Sequence, residues 1–247
     1  RLLCVHGYGS NNDITRLQVA NLRLREHGVD CDLLEATIPA PAQNEMLEML
    51  SPGPFYSWFD WSFMQLALGR FGRSHSSATL HASLRRVMWY IAHHGPYDGL
   101  FGFSQGALLV SVLSSEQSWR GLFGLESCPW KFCICACAGG AHFLEGLQLA
   151  QAHGKPAPIT TPVRVPALHL VGKFDLFHRR SSETLAASYY SADSSSIYVH
   201  AHGHELPMPL ADDKKLQSRL REFLSRFGQL CAPPRVGAEA IMPAVNG

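Results

Sequence analysis

Six short apolar runs punctuate this chain, and the stretches between them carry apolar residues at helical spacing. "RLLCVHG", "VDCDLLEA", "GLFGF", "KFCICACA", "PALHLVG" and "SSIYVHA" have the length and make-up of strands. "DITRLQVANLRLREHG" reads as one helix, with an acidic start at Asp13 and a stop at Gly28. "LHASLRRVMWYIAHHG" places Leu80, Leu84, Val87, Met88 and Ile91 on one face and ends at Gly95-Pro96. A further helix is expected from Ser104 to about Glu116. The last carries Leu216, Leu220, Phe223, Leu224 and Phe227 on one side, with Asp212 and Asp213 near its start. Strands alternating with helices are joined by crossovers, and strands buried on both faces read as unbroken apolar runs. The expected class is α/β, a mostly parallel six-stranded sheet with helices on both faces.

Composition narrows this further. A chain of 247 residues suits a single α/β domain, and 46% hydrophobic residues supply a sizeable core. The domain is expected over residues 1–228, with 229–247 a loose tail lacking any period. The net charge is +1 and no basic stripe stands out, so no nucleic-acid partner is expected. No apolar run reaches the roughly 18 residues of a membrane helix. Period-two spacing puts Cys133, Cys135 and Cys137 on one strand face, where reduced, buried thiols are expected. That usage points to a reducing compartment, and so to the cytoplasm. The opening residues read as strand rather than signal peptide, and a leader trimmed before Arg1 stays compatible with the sequence.

The third run ends in "YDGLFGFSQGA". A strand that stops at Phe103 and restarts as a helix at Gln105 must turn sharply at Ser104, and Gly102 and Gly106 relieve the crowding. Such a turn holds a serine hydroxyl out beyond the end of a sheet. The pentapeptide alone is weak: with 21 Gly and 23 Ser in 247 residues, chance supplies about 0.16 matches. Partners are needed. Asp175 lies just past the fifth run and His204 just past the sixth, where sheets of this class bind ligands. A serine hydroxyl is a weak nucleophile until an imidazole accepts its proton, and a carboxylate fixes that imidazole's tautomer. The developing oxyanion needs two N–H donors, expected from Gln105 and from Tyr8 in "HGYGSN".

At these four places the chain resembles the FSH-type serine hydrolases of the α/β-hydrolase superfamily. "LLCVHGYGSN", "YDGLFGFSQGA", "PALHLVGKFD" and "HAHGHELP" carry the resemblance, over about residues 1 to 228. It implies an α/β-hydrolase fold and an esterase or thioesterase. It also assigns Ser104 as nucleophile, Asp175 as acid and His204 as base. The family's last motif usually has two glycines before the histidine, where this chain has His202-Gly203. The expected activity is hydrolysis of a small-molecule carboxylic ester or thioester through an acyl-enzyme on Ser104, with no cofactor and no metal.

Other readings stand beside these. Asp175 could merely cap a turn. His200, His202 and His204 alternate and could share a face as metal ligands, which would make the chain a metallohydrolase. A hydrolase fold that only binds ligand is a third reading. His6 is expected to support the oxyanion loop. Residues 37–78 are irregular, with Pro39, Pro41, Pro52 and Pro54 before "FYSWFDWSF", and suit a cap or pocket segment. Within it Trp58, Phe59 and Trp61 either pack in the core or wall an apolar acyl pocket; Trp58 and Phe59 are the substrate-binding candidates. The sequence does not indicate an oligomeric state.

Overall fold

The computed structural model describes residues 1–60, 73–144, 147–159 and 162–228. Trp61, part of the expected cap segment, and the expected tail 229–247 lie outside the described residues. Six strands form the main sheet: β1 (Leu2–Val5), β2 (Cys31–Leu34), β3 (Gly99–Phe103), β4 (Phe132–Ala136), β5 (Ala167–Gly172) and β6 (Ser195–His200). Every pairing between them is parallel, in the spatial order β6-β5-β4-β3-β1-β2. The helices are α1 (Asn12–Asn21), α2 (Glu45–Leu50), α3 (Arg73–His94), α4 (Gln105–Ser114), α5 (Arg179–Thr184) and α6 (Lys214–Gly228). No described helix is long and apolar enough to cross a membrane.

The chain steps outward from β1 to β2, then returns to lay β3 on the other side of β1. Sheets of this class open a crevice at such a reversal, beyond the carboxyl ends of the strands. Here the loop after β1 and the turn after β3 face one another across it. Both faces of the sheet are covered. Leu3, Val5 and Leu100 pack with Leu84 and Met88 of α3 and with Leu108 of α4. Leu2, Cys4 and Phe101 pack on the opposite side with Val19 of α1 and Leu216 and Leu220 of α6. Neighbours in β1 thus point to opposite cores, as strand periodicity requires. The apolar face expected of α3 is buried at all five positions. The side chain of Asp213 caps α6 by accepting from the N–H groups of Lys215 and Leu216.

Two elements differ from the sequence reading. The first helix stops at Asn21, where Arg23 takes a left-handed conformation and a 3-10 turn covers Leu24–His27. Leu22 and Leu24 are both buried. Two residues apart on one α-helix they would diverge by about 200°, so burying both requires a break between them. The second difference is Cys137. Cys133 and Cys135 share one core, but β4 ends at Ala136, and Cys137, with φ 47°, turns its thiol into the other. Period-two spacing fails because the strand stops one residue earlier. All six cysteines among the described residues are free thiols.

Candidate active site

Ser104 stands at the tip of a strained turn between β3 and α4, with φ 52° and ψ −112°. A non-glycine residue in that region costs of order 1–3 kcal/mol and persists only when its surroundings force it. Here the two glycines do the forcing. A Cβ on Gly102 would meet the carbonyl oxygen of Gly106 at 2.3 Å, and one on Gly106 would meet the His6 oxygen at 2.5 Å. The start of α4 therefore presses against both β3 and the loop after β1. Gly106→Ala is expected to push α4 off that loop and destabilise the fold by about 1–3 kcal/mol or more. Its kcat/KM should fall at least about 100-fold through misplacement of Ser104. Thermal melts and ester kinetics on the same preparation check both; wild-type kinetics in this variant would contradict the packing argument.

The hydroxyl of Ser104 lies 2.9 Å from His204 Nε2, and His204 Nδ1 lies 2.6 Å from Asp175 Oδ2. Asp175 is buried, and its other oxygen accepts the N–H of His178 at 2.9 Å. Burial alone would raise the Asp175 carboxyl, but the hydrogen bond and charge of His204, helped by the His178 N–H, outweigh it and hold the group below its usual range. A carboxylate beside Nδ1 selects the tautomer with its proton there, leaving Nε2 free to accept from Ser104. The loops carrying the two residues are joined by bonds from Lys173 N to His200 O and from Phe174 N to His202 O. They approach so closely that a Cβ on Gly172 would meet the Gly203 oxygen at 2.2 Å. Gly172, the last residue of β5, thus lets two loops close over one ion pair.

On the other side of Ser104, Gln105 is the first residue of α4, so its N–H has no acceptor within the helix and contributes to the positive helix end. Tyr8 follows His6 and Gly7 in the facing loop. His6 is fully buried: Nδ1 donates to Gly7 O at 2.7 Å and Nε2 accepts from Ala36 N at 3.1 Å. Burial lowers this imidazole to about 4, partly opposed by the bond to Gly7, so it is a neutral brace of the loop.

Trp58 and Phe59 are buried in the core at 0% and 7% exposure. Trp58 Nε1 donates to His6 O, and its backbone N–H donates to Gln105 Oε1. Gln105 Nε2 in turn donates to Phe59 O, and Ser57 Oγ donates to Gln105 Oε1. The segment around Trp58 therefore clamps the residue after Ser104 to the loop after β1. Sequence reasoning missed two residues at the site. His178 packs its ring 4.4 Å from that of His204 while its N–H holds Asp175. The Asp-x-x-His spacing at the head of a helix was the available signal, since an aspartate there accepts from the N–H three residues on. The other is the Gln105 side chain, for which the sequence offered none.

The three alternating histidines do not converge. His200 is buried, with Nε2 3.7 Å from Cys137 Sγ, while His204 faces Ser104. Among the described residues, the group with donor atoms near enough to hold a metal is Cys137, Asp175 and His204. Two of its members already bond one another.

The chain matches the family described as "Serine hydrolase (FSH1)" over residues 1–216. It is 29% identical to the dihydromonacolin L-[lovastatin nonaketide synthase] thioesterase of Aspergillus terreus, across 93% of this chain and 91% of that one. It is 27% identical to the esterase OVCA2 of Danio rerio, across 92% and 97%. Among solved structures it is similar to a carboxylesterase from Mesorhizobium loti, with a TM-score of 0.51 at 15% identity over 91% of this chain and 87% of that one. That last likeness carries the fold, an α/β-hydrolase sheet. With its family match extending over most of its length, this chain belongs to the FSH1 family of serine hydrolases.

Proposed function

We propose that this serine hydrolase cleaves carboxylic esters or thioesters with an apolar acyl chain, through an acyl-enzyme on Ser104. The observation that carries it is the continuous chain of bonds from Ser104 Oγ through His204 to Asp175, set on a strained turn. Ser104 Oγ attacks the carbonyl carbon and passes its proton to His204 Nε2. The oxyanion is held by the N–H groups of Tyr8 and Gln105, and Asp175 stabilises the imidazolium. The tetrahedral intermediate expels the alcohol or thiol, which takes the proton from Nε2. Water then repeats the cycle and frees the acid. Residues 1–228 act as one catalytic domain in this reading. The stretch from residue 37 braces the oxyanion side, with Trp58 and Phe59 positioning Gln105 from the core. The names of relatives support both ester and thioester substrates.

A fluorophosphonate probe is expected to label the wild-type protein, with a chelator making no difference. Ester and thioester series of rising chain length should show kcat/KM climbing with each methylene toward about fourfold per group. A folded protein that resists the probe would overturn the nucleophile. A flat or falling chain-length response would overturn the apolar acyl group.

A further inference from the structure

The loop that delivers Asp175 has an outer face the triad does not use. Phe174, Leu176 and Phe177 are 59%, 89% and 87% exposed. Three large apolar side chains within four residues cannot be explained by packing, since the core lies on the other side of Asp175. Cations flank them: Lys173, Arg179 and Arg180 are all exposed, while of the two carboxylates nearby Asp175 is buried against His204 and Glu183 pairs with Arg179. Lys173 also lies over the Phe174 ring, at 5.3 Å.

We propose that this loop, residues 173–180, docks the protein on an anionic lipid surface, bringing the mouth of the site to acyl substrates held there. The proposal rests on the reading of the chain as a hydrolase of apolar acyl esters. Aromatic and aliphatic tips among basic residues insert at the headgroup boundary while the cations meet lipid phosphates. The charge pattern selects this occupant. A second copy meeting the loop face to face would set Lys173, Arg179 and Arg180 against themselves.

A second exposed apolar patch, Met46, Met49 and Leu50 on α2, is flanked by Glu45 and Glu48. It hangs from the loop after β1 through the bond of Gln43 N to Gly9 O. β1 and β5 are three strand spacings apart, about 14 Å. A copy seated across both patches would cover Ser104. A lipid face over the same mouth is itself the source of substrate. Protein partners, by contrast, anchor in concave pockets, and these side chains protrude.

The test is co-sedimentation of the Ser104→Ala protein with vesicles of phosphatidylcholine, alone or mixed with phosphatidylglycerol. Binding is expected to the mixed vesicles and to weaken sharply in high salt. Leu176→Ser with Phe177→Ser should reduce it at least about tenfold, and Lys173→Gln or Arg180→Gln about fivefold per cation. Absence of binding to mixed vesicles, or equal binding by the apolar double variant, overturns the proposal. So does a dimer in solution that the same substitutions dissociate, since the occupant is then a second copy. Turnover of a short, water-soluble ester by the double variant with Ser104 in place should equal wild type. Vesicle binding without any turnover by wild type would instead remove the hydrolase reading and leave the docking face standing.

Discussion

Ser104→Ala is expected to lower kcat/KM for every ester or thioester by about 10⁴-fold or more, with KM nearly unchanged. The hydroxyl oxygen is the atom that forms the covalent bond, and no neighbour among the described residues can replace it. Cys137 is buried at the back of the triad, its thiol pushed up by burial and by the Asp175 charge, so it supplies no thiolate to the carbonyl. The residual rate should come from water attacking a carbonyl still held by the oxyanion donors. The fold should survive. Alanine keeps the turn's backbone, and the loss is one hydrogen bond to His204, about 1 kcal/mol. That corresponds to a melting shift of about 2–4 °C in a chain of this size. Steady-state kinetics with a melt on the same sample check it. A rate within about tenfold of wild type in a folded variant would mean that another group attacks.

Most of this site was legible because each of its parts follows a strand. An apolar run that ends in Gly-x-Ser-x-Gly states its own geometry: the clashes at Gly102 and Gly106 leave no room for a Cβ, and the residue pattern follows from that. Asp175 and His204 were readable from their places after β5 and β6. What the sequence hid is contact across the fold. Trp58 read equally as core or as pocket lining, because aromatic residues after a proline-rich stretch suit a cap; it is fully buried, with its indole N–H on His6 O. The parallel pairing of β1 with β3 brings residues 6 and 105 together, and the bridge of Tyr56 to Ser10 brings residue 58 to them. Cys137 was misplaced for a local reason, one residue of strand fewer than its apolar neighbours suggest. His178 escaped notice because its spacing resembles an ordinary helix start.

The fold should fail cooperatively in acid, with a midpoint set by its buried histidines. Three imidazoles are buried near the sheet's core: His6 after β1, His169 in β5 and His200 in β6. Burial lowers them to about 4, about 3 and about 4, with His202 assisting at His200. The sign follows. Below the unfolded value of about 6.5 the open chain takes up protons that the folded state refuses, so stability is full above that pH and drains as pH falls. At pH 5 each histidine removes about 2 kcal/mol, about 6 together, from a total of about 5–15 kcal/mol for a typical protein. Asp175 acts lower. Its depressed carboxyl contributes stability above about pH 3.9 and loses it only as pH falls through the folded value, so it does not set this midpoint.

His169 is the place to test the account. Both ring nitrogens lack a hydrogen-bond partner, and the ring packs edge-on against Tyr190 at 4.7 Å. His169→Leu keeps the volume, removes two unpaired polar atoms and deletes one of the three proton sinks. It should move the midpoint to lower pH and reduce the steepest slope by about 1.4 kcal/mol per pH unit. Circular dichroism against pH reads both, and an unchanged midpoint would remove His169 from the cause. The slope itself counts the protons: loss of the fold should take up about three at once in the wild type and about two in the variant.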